Sequence, residues 1–376
     1  MSHHISMFPL STRRSARQGV VRMFVAALAV AACAASASAQ SAAERPSVGK
    51  TVKVGNGLYE IAVSPSTGTV YVASAGSRNQ PGAAVIALDG NTLDVVRTID
   101  VTTAPAYGLA INDRTQTLYT TNTRGASVSA IDLKSGRVTA ITSEADKNAH
   151  LREVVVDEAA NVIYASSYGR TGIVWVIDGR TNTVSQLLEN VGNGPSGLAI
   201  DSAARRLYVA NMGAQEIAVV DLAAKQVVQR FPAGGERPSN LALDARTGRL
   251  FVANQGTADV TVLDVKSGKL LATLSAGAGA ATLDVELHPT ANLVYAANRG
   301  NGTVSVFDAT TYAPVATLDT GGAPNTLTID GKSGLVYVTK KARPTGGRGR
   351  GAAPGTPAPA PPPDDGQTDT VTVIRP

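Results

Sequence analysis

One short phrase recurs seven times along this chain, and its spacing restricts the fold more than any other feature. It reads Tyr71-Val72-Ala73-Ser74, Tyr119-Thr120-Thr121-Asn122, Tyr164-Ala165-Ser166-Ser167 and Tyr208-Val209-Ala210-Asn211. It continues as Phe251-Val252-Ala253-Asn254, Tyr295-Ala296-Ala297-Asn298 and Tyr337-Val338-Thr339-Lys340. The steps between the ring residues are 48, 45, 44, 43, 44 and 42. A unit of this length, made only of strand and turn signals, matches one blade of a β-propeller. The expected fold is therefore all-β, a seven-bladed β-propeller of four-stranded antiparallel blades.

The fifth copy shows the unit. Asn240 to Leu243 alternates as a short inner strand, Asp244 to Gly248 is a turn, and Arg249 to Asn254 is a second strand. Gln255 to Ala258 turns again, Asp259 to Asp264 is a third strand rich in Val and Thr, and Lys269 to Leu274 is a fourth. β-branched residues in alternation, broken by Gly and Asp, are strand and hairpin signals. Runs such as Ile217-Ala218-Val219-Val220 are apolar on both sides, as sheets packed on both faces require. Aromatic residues are 4%, so Val, Leu, Ile and Ala must fill the core, with Trp175 expected between blades.

The two ends of the repeat region complement each other. Thr51-Val52-Lys53-Val54 resembles an outer strand such as Val315 to Leu318, and Thr370 to Ile374 resembles the third strand Thr303 to Phe307. The last blade is expected to be completed by N- and C-terminal strands, which closes the ring and leaves no open sheet edge in it. The propeller is placed at 50–376, after a short linker at 40–49. Within it, 341–369 is rich in Pro, Gly and Arg, including Ala358 to Pro363, and is read as a disordered or polyproline insertion in the last blade.

Residues 1–39 stand apart. Arg13, Arg14, Arg17 and Arg22 precede an apolar run from Met23 to Ala35, and Ala37-Ser38-Ala39 offers a small-residue cleavage site. That is the pattern of a secretory signal peptide, so the expected location is periplasmic or secreted. Cys33, in Val30-Ala31-Ala32-Cys33, leaves a lipid anchor as an alternative to cleavage at Ala39, and it is the only cysteine, which excludes intrachain disulfides. No later run of apolar residues is long enough for a transmembrane helix.

The net charge of +5 does not describe the expected mature body. Without the four leader arginines, 30 basic residues face 29 acidic ones. Lys340, Lys341, Arg343, Arg348 and Arg350 are clustered, and the rest carries a net −4. Duplex-DNA binding, which favours a broad basic face, is not expected.

The repeated phrase, with Gly and Pro before the inner strand and Asp after the third, resembles the YVTN-repeat β-propellers and, among them, the YncE-like branch of exported bacterial proteins. Gly194-Pro195-Ser196 to Asn211 with Asp221, Gly235-Glu236-Arg237-Pro238 to Asn254 with Asp264, and Gly322-Ala323-Pro324-Asn325 to Tyr337 carry the resemblance. It extends over about Lys50 to Pro376. It implies the seven-bladed fold. It implies no general catalytic activity, since such proteins are associated with surface layers, nucleic acids and protein contacts. Ser74, Ser167 and Lys340 depart from the Asn of the phrase.

Function must come from residues that differ between blades, because residues repeated in every blade answer the same backbone problem in each. The repeated Asn122, Asn211, Asn254 and Asn298 are read as structural, bonding their own backbone in a turn and tolerating left-handed geometry. Asp89, Asp132, Asp178, Asp221, Asp264 and Asp308 are read as opening the outer hairpins. One place before each inner strand stand Glu60, Gly108, Glu153, Gly197, Asn240, Asp284 and Thr326, and one place earlier Tyr59, Tyr107, Arg152, Ser196, Ser239, Leu283 and Asn325. The candidate ligand-binding residues at the channel mouth are Glu60, Tyr107, His150, Arg152, Glu153, Asn240, Asp284 and Asn325, with Arg124, Arg170, Arg299 and Lys340 in a second ring of loops.

No catalytic set is assigned. His150 and His288 are the only histidines beyond the leader, and there is no Gly-x-Ser-x-Gly elbow and no phosphate-binding glycine motif. The expected function is a non-catalytic binding or scaffold protein. Its partner is expected to be a protein, an acidic peptide or a small anionic or zwitterionic ligand. Two alternatives stay open. Glu60, Glu153 and Asp284 suit a divalent cation, as in a metal-dependent lactonase-like hydrolase, by analogy with six-bladed lactonases. A single-stranded nucleic-acid binder is the other. No other cofactor is implied.

Overall fold

In the computed structural model the described residues are 45–76, 82–342 and 369–376. The leader, Cys33 and residues 343–368 of the Pro-rich insertion lie outside them. Residues Arg45–Pro376 form one compact unit.

Among the described residues, twenty-eight strands are arranged as seven four-stranded sheets. Six are sequential antiparallel meanders, at 58–100, 109–141, 151–189, 195–232, 238–275 and 282–319. The seventh takes Ala323–Ile329, Val336–Lys341 and Asp369–Arg375, and its outer strand is Ser47–Gly55 from the start of the propeller. Thr51 faces Thr372 in this closure and their hydroxyls meet at 2.7 Å. The closing strand begins at Ser47, before the position read from the sequence, because Ser47 and Val48 already pair with Arg375 and Ile374.

The core is distributed between blades. Seven apolar clusters each join two consecutive sheets. The cluster between the seventh and first blades combines Tyr337, Val371 and Val373 with Leu58, Val72 and Leu88. The ring residue of the repeated phrase is buried in every copy, from Tyr71 to Tyr337. Trp175 is fully buried in the cluster between the second and third blades, and its indole N–H donates to Asp146 at 2.9 Å.

The repeated Asp residues hold the outer hairpins as read. Asp89 Oδ1, for example, accepts from the amides of Asn91 and Thr92 at 2.9 and 2.8 Å. The repeated Asn residues are structural by a different route from the one expected. They are the last residues of the second strands, fully buried, and none has left-handed geometry. Their amides instead hold the third strand: Asn122 Nδ2 reaches Ser127 and Ser129, Asn254 Nδ2 reaches Asp259 and Thr261, and Asn298 Nδ2 reaches Thr303 and Ser305.

Candidate functional site

The inner strands do not begin where alternation starts. They run two or so residues earlier, as Leu58–Ser64 and Pro238–Asp244 show, and carry an irregularity there. The register skips between Leu58 and Ile61, Leu151 and Val154, Pro195 and Leu198, Pro238 and Asn240, Thr282 and Asp284, and Pro324 and Leu327. A bulge re-aims the side chains at the skipped position. Glu60, Gly108, Glu153, Gly197, Asn240, Asp284 and Thr326 stand at or beside this point, one per blade, although the inner strand of the second blade, Leu109–Asn112, begins later and shows no skip. Two are glycines because the next blade is too close for a side chain. A Cβ on Gly108 would stand 2.6 Å from the Arg152 carbonyl oxygen, and one on Gly197 would stand 2.6 Å from Asn240 Cα.

Hydroxyls stitch these bulges together from blade to blade. Thr121 Oγ1 donates to the Arg152 carbonyl at 2.7 Å, Ser166 Oγ to Ser196 at 2.8 Å, Ser196 Oγ to Pro238 at 3.1 Å, and Ser239 Oγ to Leu283 at 2.7 Å. Thr326 Oγ1 donates to the Tyr59 carbonyl at 2.7 Å, across the ring closure. From the second blade round to the sixth, and across the closure, the mouth is thus built on hydrogen-bonded inner strands.

A cavity of about 490 Å³ opens at this mouth. Of the eight expected site residues, Glu60, Tyr107, His150, Arg152, Glu153, Asn240 and Asn325 line it. Asp284 does not. It is buried behind Asn240, and its carboxylate accepts from the Leu327 amide at 2.7 Å, the Val285 amide at 2.9 Å and the Asn240 side chain. Asn325 also serves the ring, since its Nδ2 donates to the Tyr59 carbonyl at 3.0 Å and its Oδ1 accepts from Arg299 at 3.2 Å. Three of the eight therefore join blades, while Glu60, Tyr107, His150, Arg152 and Glu153 face the cavity with few protein partners.

Of the second ring, Arg124 and Arg299 line the cavity, whereas Arg170 lies in an exposed turn outside it. Lys340 is not at the rim. It occupies the buried position of the repeated Asn, and its ammonium donates to the Thr320 carbonyl. Lys341, one residue on, points the other way across the strand, and its ammonium stands 3.2 Å from the centre of the Tyr59 ring. Tyr59 meets Tyr107 edge-on at 4.6 Å, and Arg124 and Arg152 lie 5.9 and 5.1 Å from the rings of Tyr107 and Tyr168. Sequence reading did not single out Arg237, which lines the cavity, or Lys341. Strand alternation alone separates Lys341 from Lys340.

The electrostatics of the bore are unusual. Burial, reinforced by Glu153 and Asp284, holds the Glu60 carboxyl well above the usual carboxylate range. Burial and then Asp284 push Glu153 up to about 8. Burial raises Asp284 to about 7, against the hydrogen bonds from Leu327, Asn240 and Val285. Glu286, two residues on, is raised by burial, Asp284 and Glu153. Glu60 and Glu153 keep part of their surface open to the channel while protein encloses them on every other side. Such neighbours cannot all ionise near neutral pH, because each charge loses hydration and meets like charges. His150 is held below its ordinary value by burial and by Arg152.

Among the described residues, no group of three or more His, Cys, Asp or Glu side chains is gathered as a metal ion would need. Glu60, Glu153 and Asp284 come from three blades, and the Asp284 oxygens already serve amide donors.

The profile of the YncE-like beta-propeller family matches residues 24–286. This chain belongs to that family. It is 35% identical over 185 residues to the uncharacterized protein YncE of Escherichia coli O157:H7, covering 47% of this chain and 52% of the relative. Against the protein of the same name from Salmonella typhi it is 37% identical over 185 residues, with the same coverage. The chain thus spans about half the length of the curated relatives it matches. Family membership agrees with the seven-bladed ring.

Proposed function

We propose that this protein is an exported binding or scaffold propeller that works without turnover, in the periplasm, with its ligand seated in the channel mouth. The observation that carries the reading is the mouth cavity itself. Its volume lies in the range of small-ligand sites, its base is a set of inner strands hydrogen-bonded between blades, and its lining is polar and varies around the mouth. Among the described residues, His288 bonds only to backbone and His150 faces Tyr168, so neither activates a hydroxyl nucleophile. The exposed arginines Arg124, Arg152, Arg237 and Arg299 favour a ligand with anionic groups.

The test is calorimetry and thermal shift on the mature protein with citrate and with short acidic peptides. Binding weakened by Arg152→Ala and left intact by Asn254→Ala supports the reading. Metal-dependent ester or lactone hydrolysis abolished by Glu153→Ala overturns it in favour of an enzyme. Salt-dependent oligonucleotide binding lost on neutralising Arg152 and Arg299 replaces the ligand with a single-stranded nucleic acid. For export, the N-terminus of protein recovered from the periplasm should be Gln40; a lipid-modified Cys33 would instead make it an anchored protein.

A further inference from the structure

The charges of the mouth are sorted by depth. Arg124, Arg152, Arg237 and Arg299 are exposed, and they sit on turns or at the first residues of inner strands. Glu60 and Glu153 lie within the inner strands and are partly buried. All six line one cavity. Yet among the described residues none of the six is in an ion pair. The arginines are steadied by other means: Arg124 and Arg152 by tyrosine rings, Arg299 by Asn325. Glu60 and Glu153 each accept only the amide of the following residue, both at 3.2 Å. A cationic rim and a floor of buried carboxyls thus face one space, and neither has an ion-pair partner among the described residues.

We propose that the mouth takes a short acidic peptide with a free amino terminus, amine first: the ammonium on Glu60 and Glu153, and the peptide carboxylates on Arg124, Arg152, Arg237 and Arg299. The inference rests on the preceding reading that the mouth is the binding site. A simple anion satisfies the rim alone and leaves the floor carboxyls with no partner beyond one backbone amide each. A simple amine does the reverse. Only a ligand carrying both charges, separated along its length, neutralises both tiers, and a peptide spans about 3.3–3.6 Å per residue between them.

The floor predicts a proton signature. Glu60 and Glu153 face each other's charge together with Asp284 and Glu286 of blade six, while the other blades offer Asn240, Thr326 and two glycines there. Above the floor the charged and titratable groups are Arg124, Arg152, Arg237 and Arg299 of the rim, with His150, Tyr59 and Tyr107 in the same cavity and Lys341 against Tyr59. Carboxyls raised by burial carry protons near neutral pH, and an arriving ammonium favours their ionised form. Binding should therefore release a proton, seen as a heat that differs between phosphate and Tris buffers.

The experiment is isothermal titration of the full mature protein with Ala-Asp-Asp, with N-acetyl-Ala-Asp-Asp and with citrate. The expected result is that the free peptide binds, acetylation weakens binding by about tenfold or more, and Glu153→Gln removes most of that discrimination. Glu60→Gln serves as a second, equally isosteric variant should Glu153→Gln lose its fold by circular dichroism. If the acetylated peptide or citrate binds as tightly as the free peptide, and Arg152→Ala weakens both, the amine-first inference is wrong while the mouth remains the site. If none of the three binds, both readings fall.

Discussion

The backbone amide of Leu327, in the seventh blade, donates to Asp284 Oδ2, in the sixth, at 2.7 Å. Asp284 thereby does for these two blades what serine and threonine hydroxyls do elsewhere around the ring, and it also receives the side chain of Asn240 from the fifth. Removing it strands a buried amide. Asp284→Ala should lower the unfolding free energy by about 1–3 kcal/mol, as loss of a buried partner typically does. The check is urea unfolding followed by far-UV circular dichroism, and an unchanged midpoint would show that the ring does not depend on this carboxylate.

The bore carboxyls should give the protein an acid-leaning stability profile. Glu153 is raised to about 8 in the folded state, against an ordinary value near 4.3 when unfolded. Between those pH values the folded state holds a proton that the unfolded state has lost, so this group's contribution falls as pH rises through the window. Glu60 and Glu286 act in the same direction. Melting temperatures measured between pH 5 and 8 should decline for the wild type, and the decline should be shallower for Glu153→Gln. An equal slope in both proteins would place the titration elsewhere.

Lys341 should titrate far from the ordinary lysine range. Burial, followed by repulsion from Arg299, brings its ammonium down to about 8, although Asp369 pulls the other way. The Tyr59 face 3.2 Å away favours the charged form but cannot replace lost hydration. Because the folded pKa is depressed, this residue's contribution to stability rises with pH above about 8, opposite in sign to Glu153. Tyr59→Ala opens the site to water and should move the Lys341 titration, followed by NMR of a side-chain-labelled sample, upward. A midpoint near 10 in the wild type would contradict the packing.

The ring itself was legible in the sequence because propeller blades repeat one local solution: a buried ring residue and a strand pattern that recur seven times, with a hairpin Asp in six of the blades, cannot be coincidence. The closure was legible for the same reason, since Thr51 to Val54 and Thr370 to Ile374 are blade strands without a blade. The site was less so. Glu60, Glu153 and Arg152, chosen because they differ from their equivalents, line the mouth cavity. Asp284 and Asn325 also differ from their equivalents, but Asp284 lies outside the cavity and both bond the neighbouring blade with a different donor or acceptor. A hydrogen bond to the neighbouring blade can be made by Ser, Thr, Asn or Asp, so variability at such a position does not free it for a ligand. Lys340 misled for a related reason, as an Asn position filled by a longer amine that reaches the same kind of carbonyl.

Fold and site should separate cleanly in a pair of variants. Asn254 is fully buried, and its Nδ2 donates to Asp259 at 2.9 Å and Thr261 at 3.1 Å, joining the second strand of blade five to the third. Asn254→Ala leaves those acceptors without their donor and should cost about 1–3 kcal/mol while leaving the mouth unaltered. Arg152 is exposed and stacks on Tyr168 with no ion pair, so Arg152→Ala should shift stability by less than about 0.5 kcal/mol, as surface substitutions usually do. Binding should respond in the opposite order, with Arg152→Ala weakened and Asn254→Ala near wild type at a temperature where both remain folded. Denaturant midpoints and titration calorimetry on the same preparations decide it. Were Asn254→Ala to lose binding while fully folded, and Arg152→Ala to keep it, the ligand would have to sit away from the mouth, against the strands that Asn254 holds in place.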